Sequence, residues 1–159
     1  MTKEQQKTFM REAIELSRKG SQSGKGGPFG AVIVKDNQIV GRGYNQVTSA
    51  YDPTAHAEIV AIRDACQNLN TFHLEDCILF TSCEPCPMCL GAIYWAQIKH
   101  IYYANTRKDA AAIGFNDDFI YQEFNVPIEN RKIPTEPFLR EEANLVFQHW
   151  QDKDDRINY

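Results

Sequence analysis

Residues 77–95 read CILFTSCEPCPMCLGAIYW, an apolar run that gives way to a cysteine–proline turn and then to a second apolar stretch. Cys77–Thr81 has the composition of a short buried strand. Glu84 and Pro85 break it. Pro85 suits the start of a helical turn, where a missing N–H costs nothing. From Cys86 to Trp95 the residues Leu90, Ile93 and Tyr94 recur three and four apart, which predicts a helix with those side chains inward. Strand, tight turn, helix is the repeating unit of an α/β fold, and the chain on either side continues it.

Upstream, Thr2–Lys19 places Phe9, Met10, Ala13, Ile14 and Ser17 at helical spacing, with Thr2 and Gln5 as a capping box and Gly20 as a stop. Ser21–Gly27 reads as a loop and Ala31–Val34 as a strand. Asp36 and Asn37 turn the chain into a partner strand, Gln38–Tyr44, so that Asn45 stands just past a strand end. Asp52 and Thr54 flank Pro53 before a helix over Ala55–Leu69, which puts His56 in its first turn. Downstream come a strand over Ile98–Tyr103, a helical piece over Arg107–Ile113, a loop holding Asn116, Asp117 and Asp118, and a final helix over Glu141–Trp150. A fifth strand is expected within Ile133–Leu139. This order implies a sheet covered by helices on both faces.

A chain of 159 residues, 43% hydrophobic and 24% charged, fits one compact domain. Its first residues are too polar for a secretory leader, and apolar runs such as Ala31–Val34 fall far short of the roughly 20 residues of a membrane span. The expected location is the cytoplasm. A net charge of −4 and the acidic-leaning stretch Asp152–Asp155 announce no phosphate-binding face, so nucleic acid is not the expected partner. Cys83, Cys86 and Cys89, three of the five cysteines, lie too close together to staple a fold as disulfides. In a reducing compartment that crowding points to a metal.

His56 and Glu58 supply the rest of the chemistry. Zinc takes neutral imidazole and thiolate, and three protein ligands leave a fourth position for water. Cys86 and Cys89, one helical turn apart, direct both sulfurs the same way. Helix N-termini favour thiolate over thiol and neutral over protonated imidazole. Glu58, two residues after His56, points away from the ligand direction and is cast as the proton carrier. Three other readings stand beside this one: a redox dithiol, a structural zinc site with Cys83 as fourth ligand, and a coincidence among buried cysteines. Cys83 precedes Pro85 in the strand-to-helix turn, and a structural site leaves the His-x-Glu pair without a purpose.

His56-Ala-Glu58 followed by Pro85-Cys86-x-x-Cys89 resembles the signature of the cytidine deaminase superfamily of zinc hydrolases. The strings GPFGAV (27–32), DPTAHAE (52–58) and TSCEPCPMCLGAIY (81–94) look much like those of bacterial guanine deaminases. The resemblance implies a three-layer α/β/α sandwich around a five-stranded mixed sheet. It further implies one zinc ion per subunit on His56, Cys86 and Cys89, with Glu58 catalytic and Asn45, Phe29, Asp117 and Tyr159 as base-binding residues. Asp118 adjoins Asp117 and the register can slip by one. Phe29 can instead plug the core and Asn45 can be an ordinary turn residue. A homodimer is implied, with a C-terminal segment from about residue 130 to Tyr159 swapped between subunits. The reaction implied is hydrolysis of guanine to xanthine and ammonia. tRNA adenosine deaminases carry close variants of the same motif, and cytosine or aminotriazines are smaller candidate substrates. A non-catalytic, zinc-stabilised interaction module is the rival from another class.

Overall fold

The computed structural model describes residues 1–158. They fall into two compact units, residues 1–117 and a second beginning at Asp118. The first contains α1 (Lys3–Gln22), β1 (Gly30–Lys35), β2 (Gln38–Tyr44), α2 (Val47–Ala50), α3 (Ala57–Leu69), β3 (Ile78–Cys83), α4 (Pro87–Trp95), β4 (His100–Asn105) and α5 (Arg107–Ala112). Its sheet runs in the order β2-β1-β3-β4, with β1 antiparallel to both neighbours and β3 parallel to β4. The parallel pair needs a crossover, and α4 supplies it.

Asp36 and Asn37 form the two-residue hairpin with φ of 48° and 61°. Positive φ at both centres matches the twist of the flanking strands, and short polar side chains tolerate it. Alternation along the strands then sorts the core. Val32, Val34 and Phe80 meet Phe9 and Ala13 of α1 on one face. Ala31, Ile33 and Leu79 meet Ala57, Ala61 and Ala65 of α3 and Ile93 of α4 on the other. The central strands are buried on both faces and so read as unbroken apolar runs.

Gly41 and Gly43 let β2 and α3 approach closely, because a Cβ on either would meet the α3 backbone at Ala61 or Ala57. Alanines on the helix and glycines on the strand thus bring the start of α3 down onto the sheet.

Several elements differ from the sequence reading. Among the described residues the sheet has four strands, not five, and Ile133–Leu139 forms none. Pro134 and Pro137 withhold two ladder donors from that segment. α1 runs past Gly20 to Gln22. Gly20 does not stop the helix; it makes room for the Tyr44 ring. α4 turns Cys89, Ile93 and Ala96 inward, and Tyr94, expected inside, is 75% exposed. Residues 89, 93 and 96 lie on one stripe, and Tyr94 is about 100° of helix rotation away from Ile93.

The second unit holds α6 (Asp118–Phe124), a short 3-10 turn (Ile128–Asn130) and α7 (Arg140–Gln151), and none of these elements has a buried residue. Among the described residues no helix is long and apolar enough to cross a membrane.

Candidate active site

His56 and Cys86 stand just before their helices rather than in the first turns. His56 is the N-cap of α3 (φ −69°, ψ 156°) and Cys86 the N-cap of α4 (φ −67°, ψ 168°), and neither side chain caps its helix. Pro87, not Pro85, holds the first helical position, where its fixed φ and lost N–H cost nothing. The extended backbone turns both side chains away from their helix ends and toward each other. His56 Nδ1 lies 3.5 Å from the sulfurs of both Cys86 and Cys89.

The three ligand atoms all lie within 4.8 Å of one another. Zinc bonds of about 2.0–2.1 Å to nitrogen and about 2.3 Å to sulfur, at tetrahedral angles, separate the two atoms by about 3.5 Å. The imidazole and two sulfurs therefore fit a zinc ion and leave its fourth position to a further ligand. Cys83 stays outside the cluster, its thiol turned to the carbonyl of Thr106 at 3.6 Å. Burial pushes that thiol up to about 11, so it remains protonated near neutrality.

A hydrogen bond from Cys89 and the neighbouring His56 lower the Cys86 thiol to about 4. The Cys86 sulfur, by hydrogen bonding, in turn raises His56 above its ordinary value in the metal-free chain. Cys89 moves the other way, raised by the Cys86 sulfur, by burial and by Glu58. A dication beside both sulfurs favours thiolate at each.

Glu58 sits in the first turn of α3 at 6% exposure. The Thr81 hydroxyl donates to its Oε1 at 3.2 Å, and Oε2 lies 3.4 Å from the Cys89 sulfur. Burial raises its carboxyl above the usual range. A buried carboxyl beside a metal-ligand cluster is equipped to hold and pass a proton.

These groups floor a cavity of about 490 Å³. Phe29, Asn45 and Asp117 line it with His56, Glu58 and Cys86. Cys89 lies behind, fully buried. Asn45 Oδ1 accepts from the backbone N–H groups of Gly27 (3.1 Å) and Val47 (3.2 Å). The amide is thereby oriented, with Nδ2 as its donor end. Asp117 is the last residue of the first unit, and Asp118 opens α6. Tyr159 lies outside the described residues.

Sequence reasoning missed three residues of this site. Phe115 also lines the cavity and meets Phe29 edge-to-face, with ring centroids 4.9 Å apart. Its place two residues before Asp117, at the edge of the loop that holds Asn116 and Asp117, was the available signal. Glu84 lines the same cavity and accepts from the Arg107 N–H at 3.0 Å, joining the turn before α4 to the start of α5. Thr81 shows in the sequence as the first of two hydroxyl residues, with Ser82, that follow the apolar run Ile78–Phe80.

The cytidine and deoxycytidylate deaminase zinc-binding region matches residues 3–105. Guanine deaminase of Bacillus subtilis (strain 168) is 52% identical over 152 residues, 96% of this chain and 97% of that protein. The X-ray structure of guanine deaminase from Bacillus subtilis superposes with a TM-score of 0.94 at 51% identity, over 100% of this chain and 99% of that one. A tRNA-specific adenosine deaminase of Aquifex aeolicus is 34% identical over 91% of this chain and 93% of its own length. The matched region spans the whole sheet, both ligand-bearing helix starts and the buried carboxyl, and the chain belongs to the cytidine and deoxycytidylate deaminase family.

Proposed function

We propose that the protein hydrolyses guanine to xanthine and ammonia. One observation carries this reading: His56 and Cys86 of a His-Cys-Cys cluster, with a buried carboxyl, floor a cavity whose walls combine aromatic rings, an oriented amide donor and Asp117. The near full-length similarity to a guanine deaminase supports it.

His56 Nδ1 and the sulfurs of Cys86 and Cys89 would hold a zinc ion, which would supply Lewis acidity and a water made nucleophilic near neutral pH. Phe29 and Phe115 present apolar surface to a flat ring and limit water around it. Asn45 Nδ2 donates to a ring nitrogen or carbonyl oxygen. The Asp117 carboxylate accepts from guanine's N–H groups, where adenine has no ring N–H on its six-membered ring to offer. Glu58, with Oε1 held by Thr81, takes a proton from water at Oε2, passes it to the ring nitrogen beside the reacting carbon, and then assists departure of ammonia.

The test is ammonia release from guanine, adenine, cytosine, an aminotriazine and a tRNA anticodon loop, assayed side by side. Guanine should dominate. Turnover confined to the tRNA loop makes the protein an editing adenosine deaminase. Bound zinc without turnover of any substrate makes it a non-catalytic module.

The same reading places one zinc in each subunit of a cytoplasmic homodimer whose C-terminal segment, from about residue 130, is swapped so that Tyr159 closes the neighbouring pocket. Free cysteines throughout suit a reducing compartment. Phe138 and Phe147 are 86% and 71% exposed in the single chain, apolar area that a partner subunit would cover. Deleting Ile157–Tyr159 should raise KM without releasing zinc, and unchanged kinetics would refute the tail's role.

A further inference from the structure

The buried hydroxyl of Thr81 has a use that packing does not explain. Thr81 is 1% exposed, with its backbone locked between Ala31 of β1 and Tyr103 of β4. Two residues earlier, Leu79 packs on the same sheet face against α3, where alanines and aliphatic side chains form the core. Valine would fill the Thr81 position with the same shape and no polar atom to satisfy. The next residue, Ser82, spends its hydroxyl on the fold, accepting from the Gly30 N–H at 3.0 Å. The Thr81 hydroxyl instead reaches across to α3 and donates to Glu58 Oε1 at 3.2 Å.

We infer that Thr81 is a positioning residue for the reaction: its hydroxyl pins one carboxyl oxygen of Glu58 so that the other faces the His56–Cys86–Cys89 cluster and the cavity. The arrangement is rigid at both ends. A β-branched side chain in a central strand has few rotamers to choose from. Glu58 starts from the first turn of α3, which the glycines of β2 hold tightly against the sheet. Unpinned, a flexible carboxyl side chain samples orientations that aim neither oxygen at the water it must deprotonate, and proton transfer depends steeply on that aim. The inference rests on the deaminase reading for its kinetic part only.

The experiment compares the zinc-loaded wild type with Thr81→Val and Thr81→Ser. Valine should lower kcat roughly 10- to 100-fold, the factor expected for one lost hydrogen bond to a charged group, while KM and zinc content change little. Serine, which keeps the hydroxyl and loses a methyl, should recover most of that kcat. A second readout needs no turnover. The ¹³C resonance of the Glu58 carboxyl, assigned by its absence in Glu58→Gln, should shift in the valine variant and return in the serine variant. Wild-type kinetics and an unmoved resonance in Thr81→Val would overturn the inference. Equal losses in both variants would also overturn it, by making the methyl rather than the hydroxyl responsible. If the wild type turns over no base, the deaminase reading falls and the resonance alone decides whether Thr81 holds Glu58.

Discussion

Replacing Glu58 by glutamine separates holding the metal from moving the proton. Glutamine matches glutamate in size and keeps an oxygen for the Thr81 hydroxyl, while its amide nitrogen can donate toward the Cys89 sulfur that Oε2 now faces. Because Glu58 is outside the three-ligand cluster, the variant should keep its zinc. A lost general acid–base group typically costs about 10²–10⁴ in turnover, or about 3–5 kcal/mol of barrier. Stability should move the other way. Burial raises the Glu58 carboxyl above its ordinary 4.5. In the metal-free protein the folded state therefore keeps a proton that the unfolded chain has released, and stability declines as pH climbs from 4.5 through the folded value. Each pH unit of that window corresponds to about 1.4 kcal/mol. Glutamine has no proton to lose, so the metal-free variant should gain on the metal-free wild type as pH rises. Zinc content by atomic spectroscopy, ammonia release, and urea unfolding at several pH values read all three effects. Loss of zinc would make Glu58 a ligand, near-normal turnover would end its proton role, and a pH-independent stability gap would contradict its burial.

The cysteines should divide sharply. Cys86→Ser should lose zinc and activity together, since its sulfur belongs to the cluster, whereas Cys83→Ser should keep both, and zinc loss in the latter would revive the four-ligand structural site. With its thiol pushed up to about 11, Cys83 should also resist alkylation near neutral pH, which mass spectrometry of the labelled protein checks. Two glycines give an opposed pair. Gly43→Ala drives a methyl into the α3 backbone at Ala57 and should destabilise by about 1–3 kcal/mol or more, while Gly91→Ala meets open space on α4 and should stabilise by up to about 1 kcal/mol. Thermal unfolding separates them by sign, and equal shifts would refute the close packing of β2 on α3.

The hairpin at Asp36–Asn37, the capping box at Thr2 and Gln5 and the helix–strand order were legible because each rests on local chemistry. The helix starts were misjudged by a residue or two, since an N-cap and a first-turn residue differ in backbone angle rather than in type. Gly20 looked like a stop because a glycine's use depends on what lies beside it, here the Tyr44 ring. Tyr94 failed for a related reason: α4 is apolar on more than one side, and only its docking chose the stripe at Cys89, Ile93 and Ala96.

By itself the sequence determined the metal chemistry, since imidazole, two thiols and a carboxylate at these spacings carry their reactivity in their residue types. Tertiary structure decided which atoms meet. It brought Nδ1 of His56 to 3.5 Å from two sulfurs thirty and more positions away, and it left Cys83 outside. It aimed the Asn45 amide, set Phe115 against Phe29, and fastened Glu58 to Thr81 across the core. Those are long-range contacts fixed by how helices dock on a twisted sheet, and no local pattern of residues encodes them.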